Sequence, residues 1–190
     1  MKKTGLIVVG VIVAVLVILI SWYVSTYNSI ITLEEKVDTE YSNINVALER
    51  RADLIPNLVN TVKGYMSHEE SIINSITEAR ENLVNAKSVT DKAQANEKLT
   101  SALNSLNVIV ENYPDLKANT TFIQLQDELA GTENRIATAR RDYNNVVKDY
   151  NTKIKTIPSS IVASMMGKTS KDYFQVENEE KTTVPQVNFN

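Results

Sequence analysis

His68-Glu69 is the first place where residue types and spacing invite chemistry, because a histidine followed by a glutamate opens the zinc-protease motif H-E-x-x-H. That chemistry needs two imidazoles one helical turn apart to grip the metal, and His68 is the chain's only histidine. On this reading His68 is a polar residue in the first turn of a helix. A Ser-His-Asp relay fares no better, since no serine sits on a strand-to-helix turn. Gly167-Lys168-Thr169 resembles the end of a phosphate-binding loop, yet the position five residues earlier is Val162 and no strand precedes it. The absence of cysteine removes disulfides, thiolate ligands and lipid-modified cysteine. The expectation is therefore no catalytic, cofactor-binding or metal site, and no enzyme.

Arg51 is a candidate of another kind. Apolar residues recur at steps of four and three through Val37, Tyr41, Ile44 and Leu48, then Ile55, Leu58, Val62 and Tyr65, with Arg51 in the seam between the two runs. An unpaired charge in a seam costs several kcal/mol, so a carboxylate from Asp53, Glu111 or Glu133 is expected beside it. If one long helix leaves a bilayer near residue 25 and another returns near 156, Arg51 lies roughly 39 Å out and Glu133 roughly 35 Å out at 1.5 Å per residue. An Arg51–Glu133 pair would fix the register of the long helices at a bend made by Pro56, which removes the hydrogen bond to the Ala52 carbonyl. The competing reading is an arginine that snorkels to solvent.

The elements that position these residues begin with an anchor. No charge occurs between Lys3 and Glu34, and the run 6–20, LIVVGVIVAVLVILI, is apolar throughout. Extended to Val24 it has the ~20 residues that a bilayer-spanning helix needs. A cleaved signal peptide competes, but its apolar part is shorter, about 7 to 15 residues, and ends in an A-x-A-like site that is missing here. Trp22, Tyr23 and Tyr27 then fall at the headgroup layer, where amphipathic rings are favoured. Lys2 and Lys3 on one side against Glu34, Glu35 and Lys36 on the other put the N-terminus in the cytoplasm and the bulk of the chain outside.

From the anchor the seam implies one helix running on to about Tyr65, with a break at Asp53 to Pro56 as the alternative. Ser67 and Glu70 have the S-x-x-E form of a capping box, ahead of a helix carrying Ile72, Ile73, Ile76, Ala79 and Leu83 to about Ala86. KSVTDK reads as a turn, and a third helix carries Leu99, Ala102, Leu103, Leu106 and Val110 up to Tyr113-Pro114. Asn119 offers a cap for a fourth, with Phe122, Leu125, Leu129, Thr132, Ile136, Ala139, Tyr143, Val146 and Tyr150 at heptad spacing, stopping near Thr156. The fold class is all-α: a single transmembrane helix continuing into an antiparallel up-and-down four-helix bundle with two long and two short helices. The divisions are a basic N-terminus at 1–4, the anchor at 5–27, the bundle at 28–157, a short amphipathic segment at 158–176 and a disordered tail at 177–190. The apolar patch Ile161, Val162, Met165 and Met166 lies on the membrane, on a neighbouring subunit, or over the bundle core.

Several stretches together resemble the LemA family: RRADLIPNLV at 50–59, His68-Glu69, EAR at 78–80, ENYPDLKAN at 111–119, TENRIATAR at 132–140, and the two Tyr-Asn pairs at 143–144 and 150–151. The resemblance implies a single-pass bacterial membrane protein with a helical bundle and no known catalytic activity, one branch of the family being associated with magnetosome membranes. The segment KTSKDYF after Gly167 departs from the more basic and aromatic stretch that the resemblance implies there. Arg51, Pro56, Glu133, Arg140, Tyr143 and Tyr150 are expected to serve structure or interaction.

The net charge of −3 and pI near 5.3 give no pull toward nucleic acid. Partners are then the bilayer, copies of the same chain and other membrane proteins. Two functions follow: a self-assembling scaffold, or a signalling or regulatory subunit of a membrane enzyme in which Pro56 is a switch.

Overall fold

Backbone periodicity carries almost all of the architecture. In the computed structural model, which describes residues 2–66 and 68–176, with side chains from residue 6 onward, every regular element is helical. These are α1 Lys2–Lys63, α2 Glu70–Asn85, α3 Val89–Val110, α4 Pro114–Lys117, α5 Thr120–Lys155 and α6 Ser159–Met165. The four expected helices are thus joined by two short ones, α4 and α6. The capping box at Ser67 and the tail at 177–190 lie outside the described residues.

Helix α1 runs for 62 residues straight through Pro56, so the alternative break at 53–56 does not occur. It ends where Gly64 begins a turn in which the amides of Tyr65 and Met66 both donate to the Val62 carbonyl. That turn swings Tyr65 out and Met66 in, so the last seam position is Met66 rather than Tyr65. Helix α2 begins at Glu70 behind Glu69, which makes no side-chain cap, and His68 lies exposed before it rather than in its first turn. The expected turn KSVTDK is mostly helix: Ser88 caps α3 by accepting from the Asp91 amide at 3.0 Å, leaving only 86–88 as connection. Pro114 starts α4 at a position where its missing N–H costs nothing. Asn119 Oδ1 accepts from the Phe122 amide at 2.9 Å and opens α5, as its sequence position predicts.

The chain divides into two compact units. One takes the residues up to Ile44 together with Thr138–Asp172. Its core is built from Ile30, Val37, Ile44, Tyr143, Val147 and Tyr150, with Val162 of α6 wholly buried. Val147 rather than Val146 lines this core, and Ala139 is only half-buried. At ~100° per residue Val147 lies about 40° from Tyr143 around the helix and Val146 about 60° on the other side. The second unit takes Asn45–Ala137 with the chain from Tyr173. Within it α2 and α3 pack together, and Leu58, Met66, Ile76, Leu99, Leu106 and Leu116 are fully buried.

Candidate functional site

In the second unit the seam arginine is buried, 3% exposed, and its Nη1 donates to Asn96 Oδ1 of α3 at 2.7 Å. Nη1 also lies 2.5 Å from Oε2 of Glu133 on α5, a charge contact outside hydrogen-bond alignment, and Nε has no acceptor. Burial lowers the Arg51 pKa while the Glu133 carboxylate pushes it back up. The Glu133 side chain is 45% exposed although the Oε2 atom facing Arg51 is buried without a hydrogen bond, so water reaches only part of the carboxylate. Of the other carboxylates weighed for Arg51, Asp53 is exposed and Glu111 sits 2.6 Å from Lys117 Nζ instead. Arg51 therefore does not snorkel outward.

One turn away, Pro56 leaves the Ala52 carbonyl without its helical donor. Arg80 Nε of α2 donates to that oxygen at 2.9 Å. A proline in one helix and an arginine in the next thus form one device, which keeps a buried carbonyl satisfied while the helix continues.

The first unit holds the more elaborate cluster. Gly167, at φ 66, ends α6 with its amide donating to Ser164 O at 3.1 Å, while the Lys168 amide donates to Ala163 O at 3.0 Å. This is a Schellman ending, which needs a left-handed residue, here the glycine. The chain then runs back as an extended strap along α5. Tyr150 Oη donates to Thr169 O at 3.2 Å and Tyr143 Oη to Asp172 O at 2.9 Å. The Asn151 carboxamide grips Lys171 from both sides, donating to its carbonyl and accepting from its amide, each at 2.9 Å. On α1, Glu34 closes the strap with Lys168 Nζ at 2.5 Å and Lys171 Nζ at 3.5 Å.

The electrostatics suit clasping rather than bond-making. The hydrogen bond from Lys168 holds the Glu34 carboxyl below its ordinary value, and the same bond raises Lys168. Burial pushes Tyr143 up to about 12, with Tyr41, Asp172 and Asp38 adding to the rise, and burial also raises Tyr150. Both phenols stay protonated as donors. Sequence reasoning marked Tyr143 and Tyr150 but missed Asn151, Glu34 and Lys168. The readable signal was the repeated Tyr-Asn pair seven residues apart, which puts like residues on one face.

The remaining candidates separate. Arg140 is exposed on α5. Trp22 and Tyr27 are exposed and Tyr23 is half-buried, the two tyrosine rings standing 6.4 Å apart. A groove of about 580 Å³ between α2 and α3 is lined by mixed polar groups such as Ser75, Glu78, Gln94 and Lys98. Among the described residues no group of three histidine, aspartate or glutamate side chains is placed to hold a metal ion.

These features define a class: an all-helical protein with an apolar, exposed N-terminal helix long enough to cross a membrane, and a C-terminal strap clasped to its last long helix. A model of the LemA family matches residues 40–189, and the chain belongs to that family. It is 27% identical over 163 residues to Protein LemA of Metamycoplasma hominis, covering 85% of this chain and 74% of that protein. It is 28% identical over 175 residues to Magnetosome protein MamQ 2 of Paramagnetospirillum magneticum, covering 78% of this chain and 64% of that protein. Magnetosome protein MamQ of Magnetospirillum gryphiswaldense is 26% identical over 200 residues, covering 90% of this chain and 74% of that protein. The chain thus spans under two thirds of the length of MamQ 2 and about three quarters of the other two.

Proposed function

We propose that this protein is a membrane-anchored scaffold that assembles with copies of itself at the bacterial membrane, docks other membrane proteins and catalyses no reaction. The observation that carries the reading is α1, in which an exposed apolar run passes without interruption into residues buried as a helical seam. A helix of that kind fixes whatever packs on it to the bilayer, which is a mechanical role. The residues with perturbed pKa values are spent on clasping the chain to itself, and none of the three relatives' names states a reaction. The reading includes an antiparallel up-and-down bundle with α1 and α5 as its long members, because the links between successive helices are short. It also puts the N-terminus in the cytoplasm, on the strength of Lys2 and Lys3.

Native mass measurement and crosslinking of the full chain in mild detergent test it. A uniform assembly of copies is expected. A monomer that copurifies with one dissimilar enzyme supports the regulatory-subunit reading instead.

A further inference from the structure

Three exposed apolar side chains in the first unit stand out: Ile157 at 86%, Ile161 at 59% and Met165 at 72% exposure. Ile161 and Met165 stand one turn apart on one face of α6, and Ile157 lies in the turn that precedes it. The opposite face, with Val162 and Ala163, is buried in the unit's core. The patch therefore belongs to a helix already docked on one side and unpartnered on the other.

Its level along α1 can be read from the packing. Tyr41 of α1 and Tyr143 of α5 stand 5.8 Å apart between ring centroids, and Tyr150 feels the carboxylate of Glu34. Seven residues on along α5 and seven back along α1 are thus matched, and the same register brings the end of α5, Lys155, to the level of Ser29. Lys168, just past α6, interacts with Glu34 and with Tyr27 as well. From the other direction, Thr26 is the first buried side chain on α1, immediately after the apolar run that ends at Val24. The protein's own cover of α1 starts where the lipid-compatible surface stops.

We infer that α6 is an interfacial membrane helix, with Ile157, Ile161 and Met165 seated at the headgroup–acyl boundary of the bilayer that α1 spans. The inference rests on the anchor reading above. The occupant is lipid because the patch is apolar and exposed and follows α5 near the level of Tyr27, where the exposed apolar run of α1 has just ended. Lys153 and Lys155, in the last turn of α5, supply positive charge at that level for lipid phosphates. The strap gives the contact a consequence: Gly167 and the Glu34–Lys168 pair hold α6 against α1, so the clasp sets the pose of the membrane-facing side.

The chain has no cysteine and a single tryptophan, which makes the test direct. Full-length variants Ile161→Cys, Met165→Cys and, as control, Val108→Cys, exposed in the second unit, are labelled with an environment-sensitive fluorophore. They are reconstituted in phosphatidylcholine–phosphatidylglycerol vesicles with and without brominated acyl chains. Expected are blue-shifted emission at positions 161 and 165, quenching by bromine comparable with that of native Trp22, and neither effect at 108. Water-like emission at 161 and 165 while Trp22 is quenched overturns the inference and leaves the anchor intact. A blue shift without bromine quenching means that protein covers the patch, and also overturns it. If Trp22 itself escapes quenching, the anchor reading fails and this inference with it.

Discussion

At Pro56 the chain gives up one backbone donor, and Arg80 from the next helix supplies a replacement to the Ala52 carbonyl. That makes the two side chains interdependent in a way a double-mutant cycle can read. Arg80→Ala should lower stability by about 1 to 3 kcal/mol, the cost of leaving a buried acceptor unsatisfied. In a Pro56→Ala background the amide at 56 returns, and the Arg80→Ala penalty should shrink to under about 1 kcal/mol. Guanidinium denaturation of the full chain in detergent, followed by helical dichroism, measures both. Equal penalties in the two backgrounds would assign Arg80 some other role. The Arg51 cluster yields an ordering as well. Glu133→Ala strands a buried guanidinium and should cost about 2 to 4 kcal/mol, less than a fully buried pair because Glu133 is half in water. Arg51→Leu removes the charge together with its desolvation and should cost less than Glu133→Ala in the same assay. Arg51 was legible because a charge on an apolar seam breaks the period. Asn96 was not, since one asparagine in a polar-rich helix looks like any solvated position, and Arg80 was not, since its acceptor is a carbonyl that every residue carries.

At the scale of elements, helices with a long apolar period were readable and the extended strap was not. The core stripe of α5 and the Asn119 cap follow from spacing and from a side chain that competes well for a helix's first free amides. The strap has no period, and its backbone groups are satisfied by side chains of α5 rather than by a ladder. Only the repeated Tyr-Asn pair hinted that something lay across that face. The clasp carries a pH dependence whose sign is fixed by the shifts. Glu34 titrates below its ordinary 4.5 in the folded chain, so its contribution is complete above 4.5 and fades as pH falls through the lowered value. Lys168 is raised above 10.5 and Tyr143 to about 12 from 10.0, so their contributions are complete below about 10 and are lost as pH rises through the raised values. A spin label at Ser170→Cys in the full chain should be immobile between these limits and loosen on either side. Glu34→Gln should abolish the acid transition and leave the label looser at neutral pH. A second test concerns the turn that starts the strap: Gly167→Ala must hold φ 66 with a Cβ, at a cost of about 1 to 2 kcal/mol, and should loosen the same label.

At the scale of the whole molecule the decisive element is α1, and here composition alone told most of the story. Residues 6–20 carry no charge, and their large apolar side chains are exposed, with no cover from the other described residues. α1 is long and apolar enough to cross a membrane. Where the protein's own cover begins, at Thr26, was not legible, because it depends on what the rest of the fold lays beside the helix rather than on α1's composition. If the run spans a bilayer, the full chain should sediment with membranes after an alkaline carbonate wash. Val13→Arg combined with Val17→Arg places two guanidinium groups near the centre of the run, each costing about 2.5 to 3.5 kcal/mol on insertion scales. The double variant should move largely to the wash supernatant, while helical dichroism from the charged, water-facing parts of the chain is preserved. The α6 patch, three side chains wide, is too small to retain it. Retention of the double variant would mean that the chain is held by a surface other than α1, and release of the unaltered chain would mean that α1 is covered by another protein rather than by lipid.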